Sequence, residues 1–210
     1  DEGSKILVDG AVLALKEKDF VPVFVGNEKE IESHIRGRIK DYEIVHTEEY
    51  ISNDEEPVRA LRKKKDSSIV LAYNKLKEEG YDGLLSAGST GALLAGGIFI
   101  SKRIEGIDRP SLAAPLPSIG AYSMLMDTGA NMDCKPAYLE EFAIMGKVFL
   151  ENVIHIDKPS IGLLNVGTES HKGNKVAKEA HELLSKSDLN FKGNIEARAV
   201  SYTHLTLPTK

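Results

Sequence analysis

Ile161-Gly162-Leu163-Leu164-Asn165-Val166-Gly167-Thr168-Glu169 decides the fold: an apolar run of strand length stops at a small-residue turn that carries polar groups. The same construction occurs at Leu84-Leu85-Ser86-Ala87-Gly88-Ser89-Thr90-Gly91 and at Met124-Leu125-Met126-Asp127-Thr128-Gly129-Ala130-Asn131. In an open, mostly parallel sheet, ligands sit outside the carboxyl ends of the strands. Three glycine-marked strand ends pointing one way therefore predict one cleft, and functional groups are sought there.

Outward from these turns the chain alternates. The opening reads as a helix with Val8, Val12 and Leu15 on one side, followed by a strand over 21–25, a polar helix over about 28–38 and a strand over 42–47. Two helical pieces lie between 52 and 80. Asn53 or Asp54 is the expected cap of the first, with Pro57 in its first turn, and Asp66 or Ser67 that of the second. Ile69, Ala72, Tyr73 and Leu76 fall at helical spacing, and Gly80 stands where a left-handed stop is usual. A strand over 81–87, a small-residue helix over 92–103 and a proline-punctuated edge region at 112–116, with Pro110, Pro115 and Pro117, come next. From Lys135-Pro136 a helix runs to about 153, apolar at Leu139, Phe142, Ala143, Met145, Phe149 and Leu150, a stripe wide enough to predict burial on more than one side, against either the sheet or a second subunit. A strand over 160–166, a helix over 173–186 and a strand over 189–192 complete the pattern. The alternation predicts an α/β fold with a largely parallel sheet and helices on both faces, in a single domain.

Composition narrows the function. With 41% hydrophobic and 28% charged residues, the 210-residue chain supports a substantial core. A net charge of −5 and the absence of tryptophan argue against a nucleic-acid-coating surface. No apolar stretch reaches membrane-spanning length and the first residues are not a signal peptide, so a cytoplasmic protein is expected. The single cysteine, Cys134, excludes an intrachain disulfide and a multi-cysteine zinc site. Residues 200–209 can be encoded in one frame by the reverse complement of a common transposase sequencing adapter, and residues 200–210 are expected to be a non-native tail.

Each turn offers its own chemistry. At Gly88, Ser89, Thr90 and Gly91, close backbone approach, two hydroxyls and the start of a helix favour an anion, phosphate being the natural one. The spacing matches neither the nucleotide P-loop nor the dinucleotide fingerprint, and a ligand-free strand-to-helix turn explains it about as well. The run Arg59, Arg62, Lys63, Lys64, Lys65 is the densest positive charge in the chain; a solvated helix face is the plain reading, while Ser67 and the lysines at a helix start suit an anion or an acidic protein partner. Asn131 and Lys135 are candidate donors to developing negative charge, whereas Cys134 has no neighbouring histidine to activate it. Asn165 and Lys172 mark the third turn. A cation near a helix start opposes the helix dipole, a conflict that a bound anion removes. The six histidines make no metal-ligand pair, so no metal is expected.

Arg62-Lys63-Lys64-Lys65-Asp66-Ser67-Ser68, Ser86-Ala87-Gly88-Ser89-Thr90-Gly91-Ala92, Gly106-Ile107-Asp108-Arg109-Pro110, Met126-Asp127-Thr128-Gly129-Ala130-Asn131, Gly162-Leu163-Leu164-Asn165-Val166-Gly167 and Gly193-Asn194-Ile195-Glu196 together resemble, in order, the bacterial phosphate acyltransferases of phospholipid synthesis. The resemblance spans nearly all of residues 4–198. It departs at both ends, lacking the family's Asp-Ala-Met-Gly-Gly-Asp-type opening and carrying Ala197 where glycine is usual, so residues 1–199 are expected to be an internal fragment of one domain.

The resemblance implies a three-layer α/β/α fold related to phosphotransacetylases and to isocitrate and isopropylmalate dehydrogenases. It also implies a homodimer, peripheral association with the inner face of the membrane, and no cofactor. The implied reaction is attack of inorganic phosphate on the thioester of acyl-acyl-carrier-protein, giving acyl phosphate. Phosphate being the nucleophile, the enzyme needs placement and oxyanion donors rather than a catalytic serine or cysteine. The expected roles are Gly88, Ser89, Thr90, Gly91 and Ser67 for phosphate, Lys172 and Asn131 for transition-state charge, and Arg62, Lys64, Lys65, Lys135 and Asn165 for the substrate and its acidic carrier. The rival readings are a phosphotransacetylase acting on acyl-coenzyme A, a dinucleotide-dependent dehydrogenase of related fold, and a non-catalytic fragment that binds the carrier protein.

Overall fold

The computed structural model describes residues 3–78, 80–116 and 122–197. Pro117, the expected tail at 200–210 and Arg198 lie outside the described residues. The architecture is mixed α/β and divides into two compact units, one ending at Arg103 and the other beginning at Ile104.

The first unit contains α1 (Ser4–Ala14), β1 (Val23–Gly26), α2 (Glu28–Ile35), β2 (Glu43–His46), α3 (Pro57–Lys63), α4 (Ser68–Leu76) and α5 (Thr90–Gly96), the last continuing into a π-helical turn, Gly97–Ser101. β1 and β2 pair in parallel, Val23 opposite Glu43 and Gly26 opposite His46. Asn27 begins α2 because its side chain accepts the Glu30 N–H at 2.9 Å, with Glu28 and Glu30 in the favourable first turn. Val8, Ile31, Ile35 and Ile39 form one buried cluster, against which Val12 and Leu15 pack, as the opening periodicity requires. A second cluster joins Ile51, Ala60, Leu61, Ile69, Val70, Tyr73, Ala92 and Ala95. In it a Cβ on Gly96 would overlap the Tyr73 ring, whose hydroxyl donates to the Leu93 carbonyl at 2.6 Å.

The second unit contains β3 (Ala113–Leu116), β4 (Ser123–Met126), α6 (Pro136–Asn152), β5 (Ile161–Asn165), α7 (Lys175–Lys186) and β6 (Phe191–Glu196). β3 and β4 are antiparallel, Ala113 opposite Met126, whereas β5 and β6 are parallel with a register shift between Ile161 and Leu163. α6 lies on β4, its buried Gly146 admitting Met126, and α7 buries Ala180 and Leu184.

Several expectations are corrected. Among the described residues the strands form three separate two-stranded pairs, one of them antiparallel, rather than one largely parallel sheet. Residues 81–87 are not a strand. A strand exists through its ladder partner, and this segment finds none among the described residues, leaving Leu85 at 88% exposure. Glu56, not Asn53 or Asp54, caps α3, its carboxylate accepting the N–H groups of Val58 and Arg59 one residue before Pro57. The helix expected over 92–103 begins earlier, at Thr90, and changes to π geometry at Gly97. The α6 expectation is not among these corrections: Tyr138 and Phe142 are buried within the unit, and Ile144, Val148 and Phe149 are exposed on the chain by itself.

Candidate functional site

The first turn is held by its own hydroxyls. Ser86 Oγ accepts the Gly88 N–H at 3.2 Å, and Ser89, buried at the start of α5, accepts the Ala92 N–H at 3.3 Å. Gly91 is required by a close approach, since a Cβ there would meet Pro57 Cγ at 2.6 Å. The Gly88 N–H and the Ser89 hydroxyl oxygen are thus engaged within the turn. The Thr90 hydroxyl is exposed and has no hydrogen-bond partner among the described residues.

In the basic run, the structure separates residues that look alike in sequence. Lys64 lies inward: its ammonium pairs with Glu55 at 2.7 Å, donates to the Tyr50 carbonyl at 2.8 Å and sits over the Tyr50 ring. The Lys64 ammonium, and then the Ser52 N–H, hold the Glu55 carboxyl below its ordinary range. Ser67 is fully buried and donates to the Lys64 carbonyl at 2.8 Å; it stabilises the turn into α4 and presents no hydroxyl to a ligand in solution. Arg62 and Lys65 are exposed and line a cleft of about 460 Å³ with Val58, Leu61, Val70 and Phe99.

Asp127 organises the second turn. Its Oδ1 accepts the Leu112 N–H at 2.8 Å and its Oδ2 accepts the Asn131 N–H at 2.8 Å. Partial burial pushes this carboxyl upward, but donation from Leu112, Asn131 and Ala130 outweighs it and holds the carboxyl below its ordinary value. The Asn131 side-chain nitrogen donates to Asp127 Oδ2 at 3.2 Å and to the Pro110 carbonyl at 2.9 Å. Both neighbours are acceptors only, which fixes the amide orientation and uses both of its N–H bonds. Asn131 is therefore not a free oxyanion donor here; Oδ1 is the atom it has left to offer. Burial, then the charges of Asp127 and Asp133, raises the Cys134 thiol above its ordinary value, the opposite of what a nucleophile needs. Lys135 is exposed at the start of α6, its ammonium over the Tyr138 ring at 5.7 Å.

The third turn is pinned by amides. Asn165 Nδ2 donates to the Lys172 carbonyl at 3.1 Å and its Oδ1 accepts the Val166 N–H at 2.8 Å. Gly173, at φ +87°, packs onto that amide so closely that a Cβ would overlap Oδ1 and stand 2.9 Å from Nδ2. Asn174 caps α7 by accepting the Ala177 N–H at 2.9 Å. Lys172 itself is exposed, and its ammonium makes no ion pair among the described residues. From the neighbouring strand, Asn194 donates to the Glu169 carbonyl at 2.7 Å.

Asp127 and Asn194 are the residues that sequence reasoning passed over. Both stand in quoted motifs, but their partners, Leu112 and Glu169, are distant in the chain and carry no sequence signal of pairing. Among the described residues, no group of three or more His, Cys, Asp or Glu side chains is placed to hold a metal ion, and no helix is long and apolar enough to cross a membrane.

Comparison with known proteins bears on all these turns. The family model described as "Fatty acid synthesis protein" matches residues 1–205. A phosphate acyltransferase of Oceanobacillus iheyensis is 48% identical over 95% of this chain and 60% of its own length. Those of Thermoanaerobacterium thermosaccharolyticum and Clostridioides difficile are 44% and 45% identical, over 93% and 99% of this chain and 59% and 63% of their own lengths. The chain thus spans about three fifths of these curated relatives.

Proposed function

Because the chain belongs to the fatty acid synthesis protein family, we propose that the protein containing it transfers an acyl group from acyl-acyl-carrier-protein to inorganic phosphate. The observation that carries this reading is identity of 44–48% to phosphate acyltransferases over more than nine tenths of the chain. A phosphate oxygen attacks the thioester carbonyl, the carbon–sulfur bond breaks, and the carrier thiolate leaves and takes up a proton. Placement and charge stabilisation are the enzyme's whole contribution.

In the second unit, Lys172 supplies the positive charge that meets the developing oxyanion, and Lys135 and Asn165 flank the acyl substrate. Asn131, whose side-chain N–H bonds go to Pro110 and Asp127, holds the second turn in shape. In the first unit, Thr90 with the backbone of Ser89 and Gly91 favours phosphate at a turn that the Gly88 N–H holds closed, and the exposed Arg62 and Lys65 attract the acidic carrier. The inward Lys64 supports that surface. The same reading takes in the three-layer α/β/α fold, a homodimer, and a cytoplasmic protein lying at the membrane's inner face.

The test uses the full-length protein, supplied in parallel with acyl-acyl-carrier-protein and acyl-coenzyme A, with phosphate and without added metal or nicotinamide. Release of carrier thiol together with acyl phosphate is expected. Product from coenzyme A alone moves the assignment to a phosphotransacetylase, and phosphate-independent turnover removes both. Lys172→Ala is expected to lower turnover by about 100-fold to 1,000-fold. Lys63→Ala, in an exposed run with neighbouring charges, should weaken carrier binding in a manner that fades with salt.

A further inference from the structure

Asn194 is a polar side chain in a place that suits an apolar one. It stands in β6 opposite Leu163 of β5 and is only 5% exposed. Its Oδ1 is buried and accepts no hydrogen bond among the described residues. A half-satisfied buried amide is costly compared with an apolar residue of the same shape, so its presence calls for a reason beyond packing. Its one hydrogen bond supplies that reason. The side-chain nitrogen reaches the Glu169 carbonyl at 2.7 Å, 25 residues earlier in the chain, and this fixes which of the two side-chain atoms is nitrogen.

The Glu169 carbonyl also accepts the Lys172 N–H at 3.0 Å, closing a turn whose last residue is Lys172. The Lys172 carbonyl in turn accepts from Asn165 Nδ2 at 3.1 Å. The backbone of Lys172 is therefore tied on both sides, directly by Asn165 and through Glu169 by Asn194. A long exposed side chain reaches a defined point only if its Cα is fixed, because every rotatable bond multiplies the positions open to the ammonium.

We propose that Asn194 is a positioning residue, holding the Glu169–Lys172 turn from the neighbouring strand so that the Lys172 ammonium meets the substrate in register. The inference rests on the reading that Lys172 stabilises the reaction's developing charge. It assigns to the Gly193-Asn194 motif a role that neither its sequence nor its burial announces, and it accounts for an amide retained in the core at a cost to stability.

The test compares wild type with Asn194→Leu, which removes the donor and fills the site, and Asn194→Asp, which keeps the shape and removes the amide, all in the full-length enzyme. Three quantities are read: the urea midpoint, kcat and KM for phosphate, and the hydrogen-exchange rate of the Lys172 amide. For a folded variant, the expectation is a fall in kcat of about 100-fold, the scale of a misplacement near 1 Å, with KM for phosphate unchanged and faster exchange at Lys172. A purely structural role would shift the urea midpoint and leave kcat per folded molecule intact. Wild-type kcat together with unchanged exchange at Lys172 in folded Asn194→Leu overturns the proposal, and if that variant does not fold, Asn194→Asp decides by the same two readings. Should wild-type enzyme form no acyl phosphate, the functional reading falls, while exchange at Lys172 still decides whether Asn194 holds the turn.

Discussion

Replacing Gly173 with alanine strikes the pinned turn at its tightest point, and two separable effects follow. The residue sits at φ +87°, a conformation that costs an L-residue with a Cβ roughly 1–2 kcal/mol. The new methyl would also overlap Asn165 Oδ1, forcing that side chain away and breaking its bonds to the Lys172 carbonyl and the Val166 N–H. Each lost bond removes about 0.5–1.5 kcal/mol, so the total expected loss is about 2–5 kcal/mol. Gly193→Ala supplies the control. Its φ is +91°, but no atom lies within 4 Å of the position a Cβ would take, so it carries the conformational cost alone. Urea unfolding of both variants should place Gly173→Ala about 1–3 kcal/mol below Gly193→Ala, the difference being the displaced Asn165. In the full-length enzyme, turnover should fall on the order of 100-fold for Gly173→Ala, because the Lys172 carbonyl is released. Equal midpoints and equal turnover for the two variants would refute the reasoning, since the Asn165 contact would then contribute nothing.

Asp127→Asn should destabilise the protein at neutral pH but not in acid. The folded carboxyl lies below its unfolded value, so its stabilisation is fully present above the ordinary carboxylate range and is lost as pH falls from about 4 through the folded value; urea midpoints at pH 7 and pH 3 should converge between variant and wild type. Cys134→Ala should retain most turnover, and iodoacetamide should label Cys134 slowly at neutral pH, because burial raises the thiol; an acyl-cysteine trapped by mass spectrometry and lost with turnover in this variant would overturn the mechanism. Gly96→Ala should lower stability by about 1–3 kcal/mol through overlap with the buried Tyr73 ring, measured as a urea midpoint at unchanged slope; Tyr73→Leu in the same background should recover part of the loss.

Local signals in the sequence determined the elements whose causes are local. Apolar spacing at Val8, Val12 and Leu15 and at Ile69, Tyr73 and Leu76 suffices for amphipathic helices, and Pro57 and Pro136 mark helix starts because a missing N–H costs nothing there. The ordered motifs likewise pointed to the family, since six short blocks in one order constrain a chain far more than any one does. Tertiary structure decided what depends on a distant partner. Whether residues 81–87 become a strand depends on a ladder neighbour, and whether β3 and β4 run antiparallel depends on how the intervening chain returns. The chemistry of the turns divides the same way. Residue types marked Lys64 and Asn131 as donors, but a donor's availability is set by the acceptors around it, and only the fold brings Glu55 to Lys64 and Pro110 to Asn131. Asn194 shows the converse: lying past the strand expected over 189–192, it gains its partner at Glu169 only when β6 lies beside β5, because a hydrogen bond reports distance in space and not in the chain.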